Sequence, residues 1–299
     1  RFQNRRGKKE WQFFVLKKIK ETPGLLKLSI EEAKQLLLDR KVIAIHSSEL
    51  TDSYFHLRNS DRAKRSILQE NSLTIIGCGA LGSQTAESLG KAGIGRITLI
   101  DKELLSPHNV VRHSCGLPFS GLPKVQAVAL NSIATHNPFV KINPIPLDIM
   151  EEAIDKYFPF NSVGVSTIAD DTIEAYLNEQ CVRNDRSIYY ARALRGGKAA
   201  RIFRVKPGKD ACKQCLSLYK EDKNPLFFDL PEDPDLPVIT NECNNPIRPA
   251  SAADLQIISG IFSRIIIEDL QCPSDDYNHW IWYTEDLPVL PKNNEIYGG

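Results

Sequence analysis

The sequence predicts an α/β fold: a doubly wound, mostly parallel sheet with a late antiparallel portion. Three observations carry this expectation. A short β-branched run, Leu73-Thr-Ile-Ile-Gly77, leads through a glycine-rich turn into a segment of helical character. A second strand, Arg96-Ile-Thr-Leu-Ile-Asp101, ends in an acid, and a third candidate, Val163 to Ala169, is followed at once by Asp170. Strands that alternate with helices in this way build parallel sheets.

Before this core, residues 29–41 read as a helix, with Ser29 and Glu32 spaced as a capping box and Ala33, Leu36 and Leu37 on one face. Residues 42–70 are mixed and polar. Residues 1–70 are therefore expected to form an N-terminal extension and residues 71–299 the main domain. Within it, 81–92 is expected to be a helix ended by Gly93 and Gly95, and 124–136 another, with Val125, Val128, Ala129 and Ile133 on one side. Residues 221–250 hold six prolines and an excess of acid, the composition of a long irregular crossover loop. A helix over 251–270 follows, started by Ser251 and Asp254, and a last strand is expected over 279–284.

Composition narrows the class. Of 299 residues, 42% are hydrophobic and 25% charged, as in an ordinary globular protein. The net charge of +1 argues against a nucleic-acid binder. Residues 1–20 carry eight basic side chains against Glu10, a local +7 read as a solvated end, so the remainder is acidic. No run approaches the length of a membrane span, and the N-terminus lacks the apolar core of a signal peptide. The chain begins with Arg, which is read as material missing upstream. Seven scattered cysteines fit reduced thiols in a cytoplasm.

Gly77-Cys-Gly-Ala-Leu-Gly82 is a GxGxxG between strand and helix. Gly77 permits the turn, Gly79 lets backbone approach a phosphate, and Gly82 lets helix and sheet pack closely. The helix N-terminus offers N–H groups to an anion. Asp101, 24 residues after Gly77, can accept from ribose hydroxyls. Downstream, Asn109, Arg112 and Lys124 crowd toward the same end, as a triphosphate requires and hydride transfer does not. Asp170, at another strand end, can hold Mg²⁺ against phosphates.

In kind, order and spacing, Gly77–Gly82, Asp101, Asn109 with Arg112, Lys124, and Ala169-Asp170 before Leu177-Asn178 resemble the ubiquitin-activating-enzyme (ThiF/MoeB-type) adenylyltransferase superfamily, over about residues 62–285. The resemblance implies a ThiF-type adenylation domain and ATP-dependent adenylation of the C-terminal carboxylate of a small protein, usually a ubiquitin-like chain ending in glycine. It implies that Asp101 holds the ribose, Asn109, Arg112 and Lys124 the phosphates, and Asp170 the Mg²⁺. It further implies a homodimer, with Arg62 or Arg65 reaching the partner's phosphates. A bacterial ubiquitin-like conjugation system, some of which serve phage defence, is the expected setting. A conjugating-enzyme domain is an expected partner, whose end residues 1–60 could be. Two other readings stay open: a sulfur-carrier or peptide-maturation adenylyltransferase without a thioester step, and a non-catalytic nucleotide-sensing module.

Cys212-Lys-Gln-Cys215 resembles the first half of the family's structural zinc site, but a second CxxC is absent from the sequence. Cys243, in the proline-rich segment, lies where relatives that pass the acyl group to sulfur often place a cysteine. It is the expected nucleophile for a thioester. Cys78, Cys115 and Cys181 are expected to be packing residues.

Overall fold

β-branched runs bounded by glycines and polar turns give the main sheet of the computed structural model, which describes residues 2–3, 9–10, 13–17, 31, 41–45, 50–59, 64–151, 154–159, 161–222, 239–240, 246–247, 249–274 and 276–284. The chain divides into two units, Arg1–Phe55 and His56–Gly299. In the first, Phe13–Lys17 pairs antiparallel with Lys41–Ile45, and Phe2–Gln3 with Lys9–Glu10. Most of the helix expected over 29–41 lies outside the described residues.

The second unit is built on seven strands: β1 (Ser72–Ile76), β2 (Arg96–Ile100), β3 (Lys141–Ile145), β4 (Ser162–Ser166), β5 (Ile188–Leu194), β6 (Ala199–Val205) and β7 (His279–Tyr283). Their spatial order is β7-β6-β5-β4-β1-β2-β3. The five from β3 to β5 run parallel, and β6 and β7 complete the sheet antiparallel. Successive connections leave β1 in opposite directions, so the strand order reverses between β1 and β4. In an open α/β sheet the crevice at that point, at the carboxyl ends, is where ligands bind.

Among the described residues, six α-helices accompany the sheet: α1 (Arg65–Glu70), α2 (Ala80–Ala92), α3 (Lys124–Asn131), α4 (Asp171–Arg183), α5 (Lys213–Glu221) and α6 (Ala252–Gln271). Side-chain alternation splits the core between the two faces. Leu73, Ile75 and Leu99 pack with Leu89, Val128, Phe262 and Ile266 under α2, α3 and α6. Ile76, Ile100, Ile188 and Tyr190 pack with Leu177, Phe158 and Ile149 on the other side. Both faces of the central strands β1, β2 and β4 are covered, which is why they read as nearly continuous apolar runs.

Most expected elements form within one or two residues of their sequence bounds, with two instructive departures. The helix expected over 124–136 is α-helical only to Asn131 and then widens into a π turn, Ser132–His136. There Thr135 Oγ1 donates to the Asn131 carbonyl at 2.6 Å, taking an acceptor that a continuing helix would offer to backbone. The strand expected over 163–169 stops at Ser166, because the chain turns through Ala169 in the left-handed region, φ 58°. Of the crossover loop over 221–250, residues 223–238 lie outside the described residues. Beyond them Ile239–Thr240 pairs with Pro246–Ile247. No described helix is long and apolar enough to cross a membrane.

Charge also holds the fold. Arg204 of β6, 1% exposed, donates to Asp210 from Nε and Nη2 at 2.8 and 3.1 Å. Its Nη1 donates to Asp269 at 2.9 Å and to the Ser274 carbonyl at 2.7 Å. Tyr189 and Lys206 also donate to Asp269, so the end of α6 is tied to the sheet by a buried network. Removing Asp269 leaves Arg204 paired with Asp210 alone and takes the shared acceptor from Tyr189 and Lys206. Asp269→Ala is expected to lower the unfolding free energy by about 2–3 kcal/mol in a urea titration; a loss below about 1 kcal/mol would mean that Asp210 alone holds Arg204 in place.

Candidate nucleotide-binding site

The carboxyl ends of β1, β2 and β4 meet at a cleft lined by Gly77, Gly79, Asp101, Lys124, Thr167 and Ile168, among others. Gly77 turns the chain out of β1 at φ 89°, and a Cβ there would press on Ile168. Gly82 sits beneath, where a Cβ would overlap the Gly77 carbonyl oxygen. Thr167 Oγ1 donates to the same carbonyl at 2.8 Å. Above Gly79 there is open space, and no side chain caps α2 there. A helix that starts uncapped on an open cleft presents N–H groups and the positive end of its dipole to an anion.

Asp101 latches this turn to the end of β2. Its Oδ2 accepts from Cys78 N–H at 2.6 Å and its Oδ1 from Glu103 N–H at 2.8 Å. Burial pushes its carboxyl above the ordinary value, against those two N–H bonds and the charge of Lys124. Lys124 opens α3 with its side chain 7% exposed, and its ammonium pairs with Glu103, itself 60% exposed.

Gly77, Gly79, Asp101 and Lys124 thus share one cleft. Asn109 and Arg112 lie on the loop between β2 and α3 and are not among the described residues lining it. Asn109 Oδ1 accepts from Ser106 N–H at 3.1 Å, closing a capping box that shapes this loop. The Arg112 carbonyl accepts from Gln84 of α2 at 2.8 Å. Arg65 packs beside Gly93 near the amino end of β2, the opposite edge of the sheet, while Arg62 lies outside the described residues.

Asp170 caps α4, its Oδ1 accepting from Ile173 N–H at 2.9 Å, and its side chain is otherwise exposed; it is not among the described residues lining the cleft, which include Thr167, Ile168 and Ile173 on either side of it in sequence. Asp171 instead pairs with Arg192 at 2.6 Å, which holds its carboxyl below the ordinary range. Of the two neighbours, Asp170 has the hard oxygen to offer Mg²⁺ beside a bound phosphate. For zinc, Cys212 and Cys215 bring their sulfurs to 3.8 Å, but no described group of three or more His, Cys, Asp or Glu residues could hold a metal. Cys243 lies outside the described residues.

Two groups that hold the site carry no role in the sequence reading. Glu103 is the ion partner of Lys124 and sits in no motif. His113 ties the glycine turn to the loop below: Nδ1 accepts from Cys115 N–H at 3.1 Å, so Nε2 carries the proton toward the Cys78 carbonyl at 2.8 Å. Burial lowers its pKa to about 4, and His279 is likewise lowered to about 4. Each is neutral in the fold and gains a proton on unfolding below the ordinary value of 6.5. This stability is therefore present above pH 6.5 and is lost as pH falls toward 4. Between pH 7.5 and 5 each histidine should cost on the order of 2 kcal/mol of unfolding free energy. In urea titrations at the two pH values, His113→Gln should reduce that drop by about one such share; an unchanged drop would mean that His113 is protonated in the fold.

Residues 54–241 match the ThiF family. Over 162 residues the chain is 25% identical to the molybdopterin-synthase adenylyltransferase of Salmonella typhimurium, covering 54% of this chain and 64% of that one. Over 127 residues it is 31% identical to the ATP-dependent ubiquitin transferase-like protein Cap2 of Pseudomonas aeruginosa, covering 39% and 23%. Against these curated relatives the chain thus spans from about a quarter to just under two thirds of their length. The crystal structure of Escherichia coli MccB with AMPCPP and MccA superposes with a TM-score of 0.58 at 19% identity, over 82% of this chain and 75% of that one. With the family matched across more than half of its length, and with strand order and glycine turn in keeping, this chain belongs to the ThiF family.

Proposed function

We propose that this chain adenylates the C-terminal carboxylate of a ubiquitin-like protein ending in glycine, with ATP as co-substrate. One observation carries the reading: an uncapped helix N-terminus, a buried lysine and an exposed carboxylate gather at one edge of the sheet. A carboxylate oxygen attacks the α-phosphorus and pyrophosphate leaves; the nucleophile is already ionised and needs no base. The protein must align two anions and stabilise spread negative charge.

Each residue has a part in that task. The Gly77–Gly82 turn cradles phosphate, Asp101 accepts from the ribose, and Lys124 neutralises phosphate oxygens. Asn109 and Arg112 join them from the neighbouring loop. Lys124 is fixed by burial, whereas Glu103 is exposed, so on nucleotide binding Glu103 gives way and the lysine stays. Mg²⁺ held by Asp170 and the phosphates would add charge neutralisation at the leaving pyrophosphate.

The same reading includes transfer of the acyl group to Cys243 as a thioester, a homodimer in which Arg62 or Arg65 serves the partner's site, and a cytoplasmic setting. It further includes a conjugating-enzyme partner and a bacterial ubiquitin-like conjugation pathway, antiphage systems among them. Similarity to Cap2 supports it. Similarity to the molybdopterin-synthase adenylyltransferase favours a second reading, adenylation of a sulfur carrier or peptide without a thioester.

ATP–pyrophosphate exchange with candidate proteins ending in glycine tests the first step. Asp170→Asn is expected to lower exchange by about 10²-fold or more while weak ATP binding persists; full exchange in that variant, with loss in Asp171→Asn, would move the metal to Asp171. The second step separates cleanly. Cys243→Ala should keep exchange and abolish the enzyme–substrate adduct that thiols cleave, and an adduct surviving in that variant removes Cys243 from the chemistry.

A further inference from the structure

Beside the cleft, outside the residues assigned to nucleotide, four charged side chains from three elements meet. Glu174, in the first turn of α4, is fully buried. Arg192 of β5 donates to it from Nε at 3.0 and 3.1 Å and from Nη2 at 2.5 Å. Lys213, the first residue of α5, donates to it from its ammonium. Arg192 also takes Asp171 at 2.6 Å. A carboxylate is expensive to bury, and holding it with two cations in this geometry demands that α4, β5 and α5 keep fixed relative positions.

What depends on that position is Asp170. Its side-chain bond is to Ile173 N–H and its carbonyl accepts from Glu174 N–H at 2.9 Å, both within α4, so Asp170 moves with the start of the helix. The preceding Ala169 sits at φ 58°, a strained conformation for a residue with a Cβ, which persists only where the surroundings hold it. Glu174 lies one turn after Asp170 on the same side of the helix. Through Arg192 the network also engages Asp171 in an ion pair, while Asp170 next to it stays exposed.

We infer that Glu174 is a positioning residue: clamped between Arg192 and Lys213, it holds the start of α4 so that Asp170 presents its carboxylate to the metal of a bound metal–nucleotide. This rests on the reading of Asp170 as the Mg²⁺-binding acid. Glu174 touches neither metal nor nucleotide.

The test is the affinity of a fluorescent ATP analogue measured with and without Mg²⁺, which needs no protein substrate and no turnover. Glu174→Gln should keep the metal-free affinity within about twofold and lose about tenfold of the gain that Mg²⁺ confers, as loss of support behind a metal ligand does. Lys213→Met, which leaves the Arg192 contact, should shift the ratio in the same direction by less. An unchanged ratio in Glu174→Gln overturns the inference. So does an equal fall in both affinities, which would mark general loosening of α4. Should Glu174→Gln fail to fold, the ratio in Lys213→Met decides between the same outcomes. If the unaltered protein binds the analogue equally with and without Mg²⁺, the reading of Asp170 itself falls, a result distinct from failure of the clamp.

Discussion

The carbonyl of Gly77 is the point on which the functional edge depends. Gly82 lies so close that a Cβ there would overlap the oxygen, and Thr167, just past the end of β4, donates to it from the other side. One backbone acceptor therefore fixes the start of α2 against the ends of β1 and β4, the two strands between which the sheet reverses direction. Interiors are close-packed, so such an approach cannot be relaxed locally by a larger side chain. The open space over Gly79 follows from it: the helix is pulled down at Gly82, and its first turn is left facing the cleft.

Around that point charge is arranged so that rigid groups are buried and yielding groups exposed. Lys124 is rigid and Glu103 yields; Arg192 and Glu174 are enclosed while Asp171 is 85% exposed. An anion entering the cleft competes with exposed carboxylates whose own pairing in water is weak. The cations need little rearrangement, and preorganised positive charge is what a phosphoryl reaction uses.

Local signals made much of this legible in the sequence. The glycine turn, the acid ending β2 and the lysine opening α3 each belong to a motif whose spacing is fixed by one strand, turn or helix. β3 was obscured because Pro144 interrupts its pattern, which is tolerated because β3 is an edge strand. The hairpin of β5 and β6 was obscured because buried Arg204 and half-buried Arg192 and Arg201 interrupt its apolar texture, and Asp269 and Glu174, which hold Arg204 and Arg192, lie far away in sequence. Glu174, Arg192 and Lys213 come from positions 18 and 39 residues apart, a clustering that only the fold creates. The sequence marks Asn109 as a phosphate-holding residue, but its part in closing the Ser106 turn depends on backbone geometry.

The reactive chemistry proposed for this edge raises a problem that the same burial resolves. An acyl adenylate is a strong electrophile, and Cys78 lies within the glycine turn, one residue from the open space over Gly79. A thiolate there would intercept the intermediate on the enzyme's own phosphate loop. Cys78 is fully buried, and burial together with the nearby charge of Asp101 pushes its thiol well above the ordinary value. Since the thiolate and not the thiol attacks, burial keeps this cysteine unreactive. Cys115 and Cys181 are pushed up by burial to about 11 and about 12. The latch from Asp101 to Cys78 N–H therefore serves twice: it shapes the turn, and it places a negative charge beside the one sulfur that must not ionise.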